Sequence, residues 1–189
     1  MHHAFFTADL HLFDEDIAKA RGFRDAQEYR EVMSSCWNIT VDDDDLVYIL
    51  GDISKEHQPS AVQFIHNELK GHKILIPGNH DTFDTCQLFQ MDPKCLVKMP
   101  GEEIKLNDNR ILLTHYPVHS DEMDFHDYNI HGHIHSPIPE IGYKPRMYPN
   151  PRRDVMCLKI QHVYFNVNIE FHKWTPVSSC RILNWIYDE

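Results

Sequence analysis

The chain has 189 residues, enough for one domain (1–189) with a substantial core, whereas a division into two would leave each half thin. It is 42% hydrophobic and 25% charged, as globular proteins are, and no apolar run approaches the roughly 20 residues of a membrane-spanning helix. The formal charge of -11 opposes generic binding to nucleic acid, where basic groups must replace counterions along the phosphates. Polar Thr7, Asp9 and His11 interrupt the opening segment where a secretory signal would be apolar, so a cytoplasmic location is expected. The five cysteines are scattered and never in CxxC spacing, which suggests reduced thiols rather than disulfides or a thiolate zinc site. Fifteen histidines are the unusual feature, because imidazole is both a common metal ligand and a proton carrier near neutral pH.

Ala4-Phe5-Phe6 reads as a short buried strand, with Asp9-Leu10-His11 at its carboxyl end. Helices are predicted over Asp14 to Arg21 and Asp25 to Trp37, the second with Tyr29, Val32, Met33 and Cys36 or Trp37 at helical spacing. Asp42 to Asp45 reads as a solvated turn; a calcium loop would need a glycine and spaced ligands that this run lacks. Leu46 to Leu50 is a continuous apolar run, as a strand buried on both faces requires, and it ends in Gly51-Asp52. Pro59 and Ser60 open a helix to Leu69 with Val62, Ile65 and Leu69 on one stripe, closed by Gly71. A strand from Lys73 to Ile76 follows and ends in Gly78-Asn79-His80-Asp81, residues that would by themselves suit a polar turn.

Glu103 to Leu106 and Arg110 to Leu113 flank Asn107-Asp108-Asn109 as a hairpin, whose second strand ends in Thr114-His115. Tyr128-Asn129-Ile130 is a further strand, followed by His131-Gly132-His133-Ile134-His135. The proline-rich stretch from Pro137 to Pro151 reads as an irregular loop, Val163 to Ile169 as a final strand, and Ser178 to Ile186 as a terminal helix with Ile182, Leu183 and Ile186 inward.

Five predicted strands thus each terminate in metal-capable groups: Asp9 and His11, Asp52, Asn79 and His80, His115, and His133 and His135. Ligand sites in open sheets form outside the carboxyl ends of strands, where loops converge, and independent turns have no reason to share this habit. The set is imidazole nitrogen, carboxylate oxygen and one amide oxygen, which suits manganese, iron, zinc or cobalt better than a thiolate-selected metal. There are more ligands than one ion can use, and two ions sharing a carboxylate would employ them all.

The ordered series DLH (Asp9 to His11), GD (Gly51-Asp52), GNHD (Gly78 to Asp81), TH (Thr114-His115) and GHIH (Gly132 to His135) resembles the calcineurin-like metallophosphoesterase superfamily, in particular its small, capless bacterial and phage members. The later Asn166-Val167-Asn168 and Trp174-Thr175-Pro176-Val177 are similar to the ending of such members. The resemblance implies a four-layer α/β/β/α sandwich of two mixed sheets flanked by helices. It further implies that Asp9, His11 and His135 bind a first divalent ion, that Asp52 bridges, and that Asn79, His115 and His133 complete a second. Manganese is the leading choice for both ions, with iron, zinc, cobalt or nickel as alternatives. His80 would not bind metal but would assist the leaving group, while a metal-bridging hydroxide hydrolyses a phosphomonoester or phosphodiester.

A small molecule or nucleotide is the favoured substrate; a nuclease and a catalytically silent interaction module are the alternatives. Membrane partners are not expected. Two departures stand out. Many relatives carry an acidic or amide residue three places after the GD aspartate, which orients the catalytic histidine, but this chain has Lys55; and Phe13-Asp14 stands where small relatives often have Gly-His. His57, His66, His72, His119, His126, His131, His162 and His172 match no motif and read as surface or core residues, with His119 and Tyr116 placed to flank the opening. Lys144, Arg146, Arg152 and Arg153 form a modest basic patch in the proline-rich stretch, read as ordinary surface charge.

Overall fold

Alternation of apolar side chains across the first strands builds two cores on opposite faces of one sheet. The computed structural model describes residues 3–119, 123, 125–135, 143–149 and 156–187, with the backbone alone for 143–149 and 156–162. Strands β1 (Ala4–Thr7), β2 (Leu46–Ile49), β3 (His72–Leu75) and β4 (Cys95–Val97) run parallel side by side. The short strand β11 (Val177–Ser178) joins antiparallel to β1, giving the order β11-β1-β2-β3-β4. Along β1 and β2, Phe5, Val47 and Ile49 enter one cluster, while Phe6, Tyr48 and Leu50 enter the other, as the two-residue period of a strand dictates.

The first cluster is shared with the helices α1 (Glu15–Ala20), α2 (Ala26–Thr40), α3 (Gln58–Glu68) and α4 (Phe83–Phe89). Helix α2 buries Tyr29, Met33 and Trp37 along its inner stripe, and Asp25 caps it by accepting from the Glu28 N–H at 2.8 Å. The second cluster lies against a four-stranded sheet, β10-β7-β6-β5, made of β5 (Glu102–Leu106), β6 (Asn109–Leu113), β7 (Tyr128–His131) and β10 (Tyr164–Asn166). Here β10, β7 and β6 are parallel and β5 is antiparallel. Helix α5 (Ser179–Tyr187) adds Ile182 and Ile186 to this cluster. The result is the expected α/β sandwich: two mixed sheets flanked by helices.

Several expectations need correction. Part of the proline-rich stretch is strand: β8 (Tyr143–Pro149) pairs antiparallel with β9 (Met156–His162) in a separate two-stranded sheet. Prolines fit there because both strands are edges and need not donate on their outer side. Residues 137–142 and 150–155, with Arg152 and Arg153 of the basic patch, lie outside the described residues, as do His2 and the side chains of Lys144, Arg146, Cys157 and His162. The strand expected over Val163 to Ile169 stops at Asn166, beyond which Ile169–His172 form a 3-10 turn capped by Asn168. It is not the last strand, since β11 follows. Helix α4 and strand β4 were not foreseen, being only seven and three residues long. The Asp42 to Asp45 run is a solvated turn in its first three residues only. Asp45 is buried and accepts the His3 and Asp42 N–H groups, each at 2.9 Å.

Candidate metal centre

The carboxyl ends of β1, β2 and β3 in one sheet and of β6 and β7 in the other open toward each other, and the loops leaving them are zipped together. The Asp9 N–H donates to Gly51 O at 3.0 Å, His11 N–H to Asp52 O at 3.0 Å, and Gly132 N–H to His115 O at 3.0 Å. Four of the singled-out residues sit in the left-handed region: Asp9 (φ 57°), His11 (47°), Asp52 (57°) and His133 (66°). Each such non-glycine residue costs on the order of 1–3 kcal/mol, which surrounding contacts must offset, and strain of this kind gathers at functional sites. Two glycines let the loops close. A Cβ on Gly78 would meet Asp52 Oδ1 at 2.2 Å, and one on Gly132 would meet Ala8 Cβ at 2.4 Å and Asp9 Oδ2 at 2.6 Å.

Within this frame Asp9, His11 and His135 form one group of converging ligand atoms, and Asp52, His115 and His133 form a second. Asn79 joins the second, its Oδ1 lying 3.0 Å from His115 Nε2. Each carboxylate spends one oxygen on backbone and presents the other. Asp9 Oδ2 accepts the His133 N–H and Asp52 Oδ1 the His80 N–H, both at 2.9 Å. Asp52 Oδ2 then lies 3.5 Å from His115 Nε2 and 4.0 Å from His11 Nε2, between the two groups.

The imidazole tautomers decide what the pocket wants. His115 Nδ1 donates to Leu50 O at 2.8 Å, His11 Nδ1 to Asp14 Oδ2 at 3.2 Å and His135 Nδ1 to Glu170 Oε1 at 3.1 Å. In the neutral His115 and His11 rings the proton is therefore on Nδ1 and the Nε2 lone pair faces oxygen, Asn79 and Asp52 for His115 and Asp52 for His11, while His135, which its two carboxylate neighbours favour as the imidazolium, points Nε2 at Asp9 Oδ1 3.6 Å away. Lone pairs aimed at carboxylates repel unless a cation lies between them. Buried Asp9 Oδ1 and His11 Nε2 also have no hydrogen-bond partner. A metal ion about 2.0–2.2 Å from each ligand would satisfy these atoms, so the donor set and its spacing fit a divalent cation.

A third group, His66, Asp92 and Cys95, fits poorly. His66 Nε2 is committed to Phe89 O at 3.0 Å, and burial pushes the Cys95 thiol up to about 11.

The charge around the first group is strongly negative. Asp9, and then Glu170, push His135 up to about 9. Burial works against ionisation of Glu170 and Asp14, yet both carboxyls are held below their ordinary range, Glu170 by His135 and Arg21 and Asp14 by His11 and the Lys55 N–H. Burial, with His115 adding to it, pulls His133 down.

His80 lies at the mouth, its Nε2 3.9 Å from Asp52 Oδ2 and its ring 5.7 Å from that of His11. Lys55 does not orient it: Lys55 is an exposed cleft residue whose N–H donates to Asp14 at 2.9 Å. What holds His80 is its main chain, with its N–H on Asp52 and its carbonyl accepting from the Gln58 amide. Asp81, the last residue of GNHD, is a brace. Its carboxylate accepts the N–H groups of Asp52, Ile53 and Gly78 at 2.8, 3.1 and 2.9 Å. Tyr116 lies against the His133 ring at 4.3 Å, but neither it nor His119 is among the described residues lining the cleft.

Sequence reading missed Gln58, Arg21 and Glu170, and assigned no role to Asp14. Only Asp14 carried a local signal, three residues after His11 in the position where the relatives differ. The cleft has a volume of about 730 Å³, and its lining includes the polar His11, His80 and Lys55 and the apolar Ile17, Phe171 and Trp174.

No protein-family model matches the chain. It is 29% identical over 182 residues to an uncharacterized protein, MJ1445, of Methanocaldococcus jannaschii, covering 94% of this chain and 88% of that protein. It is 28% identical over 166 residues to the gene 66 protein of Mycobacterium phage L5, covering 73% of this chain and 80% of the other. Among solved structures, a protein of unknown function from Aquifex aeolicus, AQ665, superposes with a TM-score of 0.69 at 20% identity, over 97% of this chain and 99% of that one. That likeness shows the α/β sandwich fold. A looser match, to an archaeal phosphodiesterase, has a TM-score of 0.46 at 14% identity, over 84% of this chain and 99% of that one. No helix among the described residues is long and apolar enough to cross a membrane.

Proposed function

We propose that this protein is a metal-dependent phosphoester hydrolase of the calcineurin-like metallophosphoesterase type, working with two divalent ions, manganese first. The observation that carries the reading is the pair of Nδ1-tied imidazoles, His11 and His115, whose Nε2 lone pairs face Asp52 and Asn79 with no proton between them, beside His135 set against Asp9. Asp9, His11 and His135 would hold one ion, Asn79, His115 and His133 the other, and Asp52 would serve both. Ions held there would supply Lewis acidity toward water and phosphoryl oxygens.

The protein's own groups do the rest. Asp14, Glu170 and Leu50 O fix which nitrogen each imidazole offers. His80, about one-third exposed and anchored by its backbone, swings its Nε2 over the cleft and donates a proton to the departing oxygen. The apolar lining residues Ile17, Phe171 and Trp174 would receive the organic part of the ester, while the exposed Lys55 offers a cation to its phosphate. The formal charge of -11 favours a small molecule or nucleotide over a long polyanion.

Hydrolysis of bis-para-nitrophenyl phosphate with added Mn2+ tests this. Wild type should turn over, Asp52→Asn should be inactive, and His80→Ala should be slow yet metal-loaded. Equal rates in all three would expose a contaminating activity and leave the interaction module as the reading. Cleavage of single-stranded DNA in preference to nucleotides would make the enzyme a nuclease.

A further inference from the structure

One buried cation ties together the backbone of Asp9 and the side chain that holds His135. The Arg21 side chain is 3% exposed. Its Nη2 donates to Asp9 O at 2.7 Å, Nη1 to Leu10 O at 3.1 Å and to the Tyr29 hydroxyl at 3.0 Å, and Nε to Glu170 Oε2 at 3.1 Å. The Tyr29 and Trp174 rings lie 5.2 and 5.7 Å from its guanidinium carbon. Glu170 is held in turn at its own backbone, where its N–H donates to the Asn168 cap at 3.2 Å. Its other oxygen, Oε1, takes the Nδ1–H of His135. Among the described residues the second group has no counterpart: His115 Nδ1 rests on the neutral carbonyl of Leu50.

We propose that Arg21 and Glu170 are a positioning pair for the Asp9–His11–His135 position, and that they make it the tighter of the two metal positions. The proposal rests on the metal-centre reading above. The physical reasons are three. A carboxylate on Nδ1 makes the opposite nitrogen a stronger donor than a carbonyl does, and the first position has two such carboxylates, on His11 and His135, where the second has none among the described residues. The planar guanidinium satisfies four acceptors in one fixed geometry, which holds Asp9 in its left-handed conformation before any ion arrives. The Arg21 charge is taken up by the Glu170 carboxylate and the Asp9 and Leu10 carbonyls, which offsets its repulsion of the ion.

The test is calorimetric titration of EDTA-stripped, full-length protein with Mn2+. Wild type is expected to show two classes of site. In Glu170→Gln the amide oxygen keeps the Arg21 bond while the amide N–H turns toward His135 Nδ1, forcing the ring proton onto Nε2. The tighter class should weaken about 10- to 100-fold and the weaker class should not move. Arg21→Lys should do the same more mildly, since one ammonium cannot span the four acceptors.

Unchanged isotherms in Glu170→Gln, or a loss confined to the weaker class, would overturn the proposal while leaving the metal centre standing. A wild type that binds no Mn2+ would instead remove the reading on which it rests. Should the variants fail to fold, long-range 1H–15N spectra of zinc-loaded wild type decide. His135 must coordinate through Nε2 with a slowly exchanging Nδ1–H, and coordination through Nδ1 refutes the pair.

Discussion

Gly132→Ala should damage the metal centre without touching a ligand. A methyl group there would sit 2.4 Å from Ala8 Cβ, 2.6 Å from Asp9 Oδ2 and 3.1 Å from Leu50 O. Ordinary carbon contacts are about 3.5–4.0 Å, so the loop after β7 must back away by about 1 Å. None of the three neighbours can yield easily: Ala8 is fully buried, Asp9 is pinned by Arg21, and Leu50 O already accepts His115. Overpacking of this kind costs about 1–3 kcal/mol, and losing the His133 N–H to Asp9 carboxylate bond costs about 1.5–3 kcal/mol more. Because the two share one displacement, about 2–5 kcal/mol is expected in all. Urea unfolding of metal-free protein reads that loss directly. Repeating it with saturating Mn2+ reads the second effect: wild type gains stability by mass action, and the variant, with His133 and His135 displaced, gains less. A variant whose metal-free midpoint and Mn2+-induced gain both match wild type would refute the argument that this close approach builds the site.

His80→Ala should lower turnover of bis-para-nitrophenyl phosphate by about 10²–10⁴-fold with metal content unchanged, measured by elemental analysis beside the assay. Asp81→Ala leaves three N–H groups without their acceptor and should destabilise the metal-free fold by several kcal/mol, at about 1–3 kcal/mol for each unmade bond, in the same urea assay. Trp37→Ala, which empties a fully buried position under the five-stranded sheet, should cost about 3–5 kcal/mol and leave metal affinity in the folded protein unchanged.

Burial, reinforced by Arg181, lowers His172 below its ordinary 6.5 despite the Asn166 carbonyl. The unfolded chain therefore takes up a proton there that the fold refuses. Stability from this residue is present above about 6.5 and lost as the pH falls toward its folded value, at a limiting slope of about 1.4 kcal/mol per pH unit. Comparing urea midpoints at pH 7.5 and 5.5 for wild type and His172→Gln should show the smaller acid loss in the variant.

Much of this protein could be read from the chain because its signals were local. Leu46 to Leu50 is an unbroken apolar run, Tyr29, Met33 and Trp37 repeat at helical spacing, and each of five strands ends in a group that can bind a cation. Such patterns follow from a period of two or 3.6 residues and need no neighbour to be recognised. What failed was either too short to show a period, as with α4 and β4, or depended on an edge that tolerates proline, as with β8. The site divides in the same way. Asp9, His11, Asp52, Asn79, His80, His115, His133 and His135 stood out by type and by position at strand ends. The choice of lone pair on each imidazole did not, because it is made by Asp14, Leu50 O and Glu170. Nor did the anchoring of Asp9 to Glu170 through Arg21, or of His80 through Gln58. Chain pattern determines which atoms arrive at the ends of the strands; only packing in three dimensions decides which way most of them face, since, Asp14 beside His11 apart, the partners that turn them are distant in sequence, as Glu170 is from His135 and Leu50 from His115.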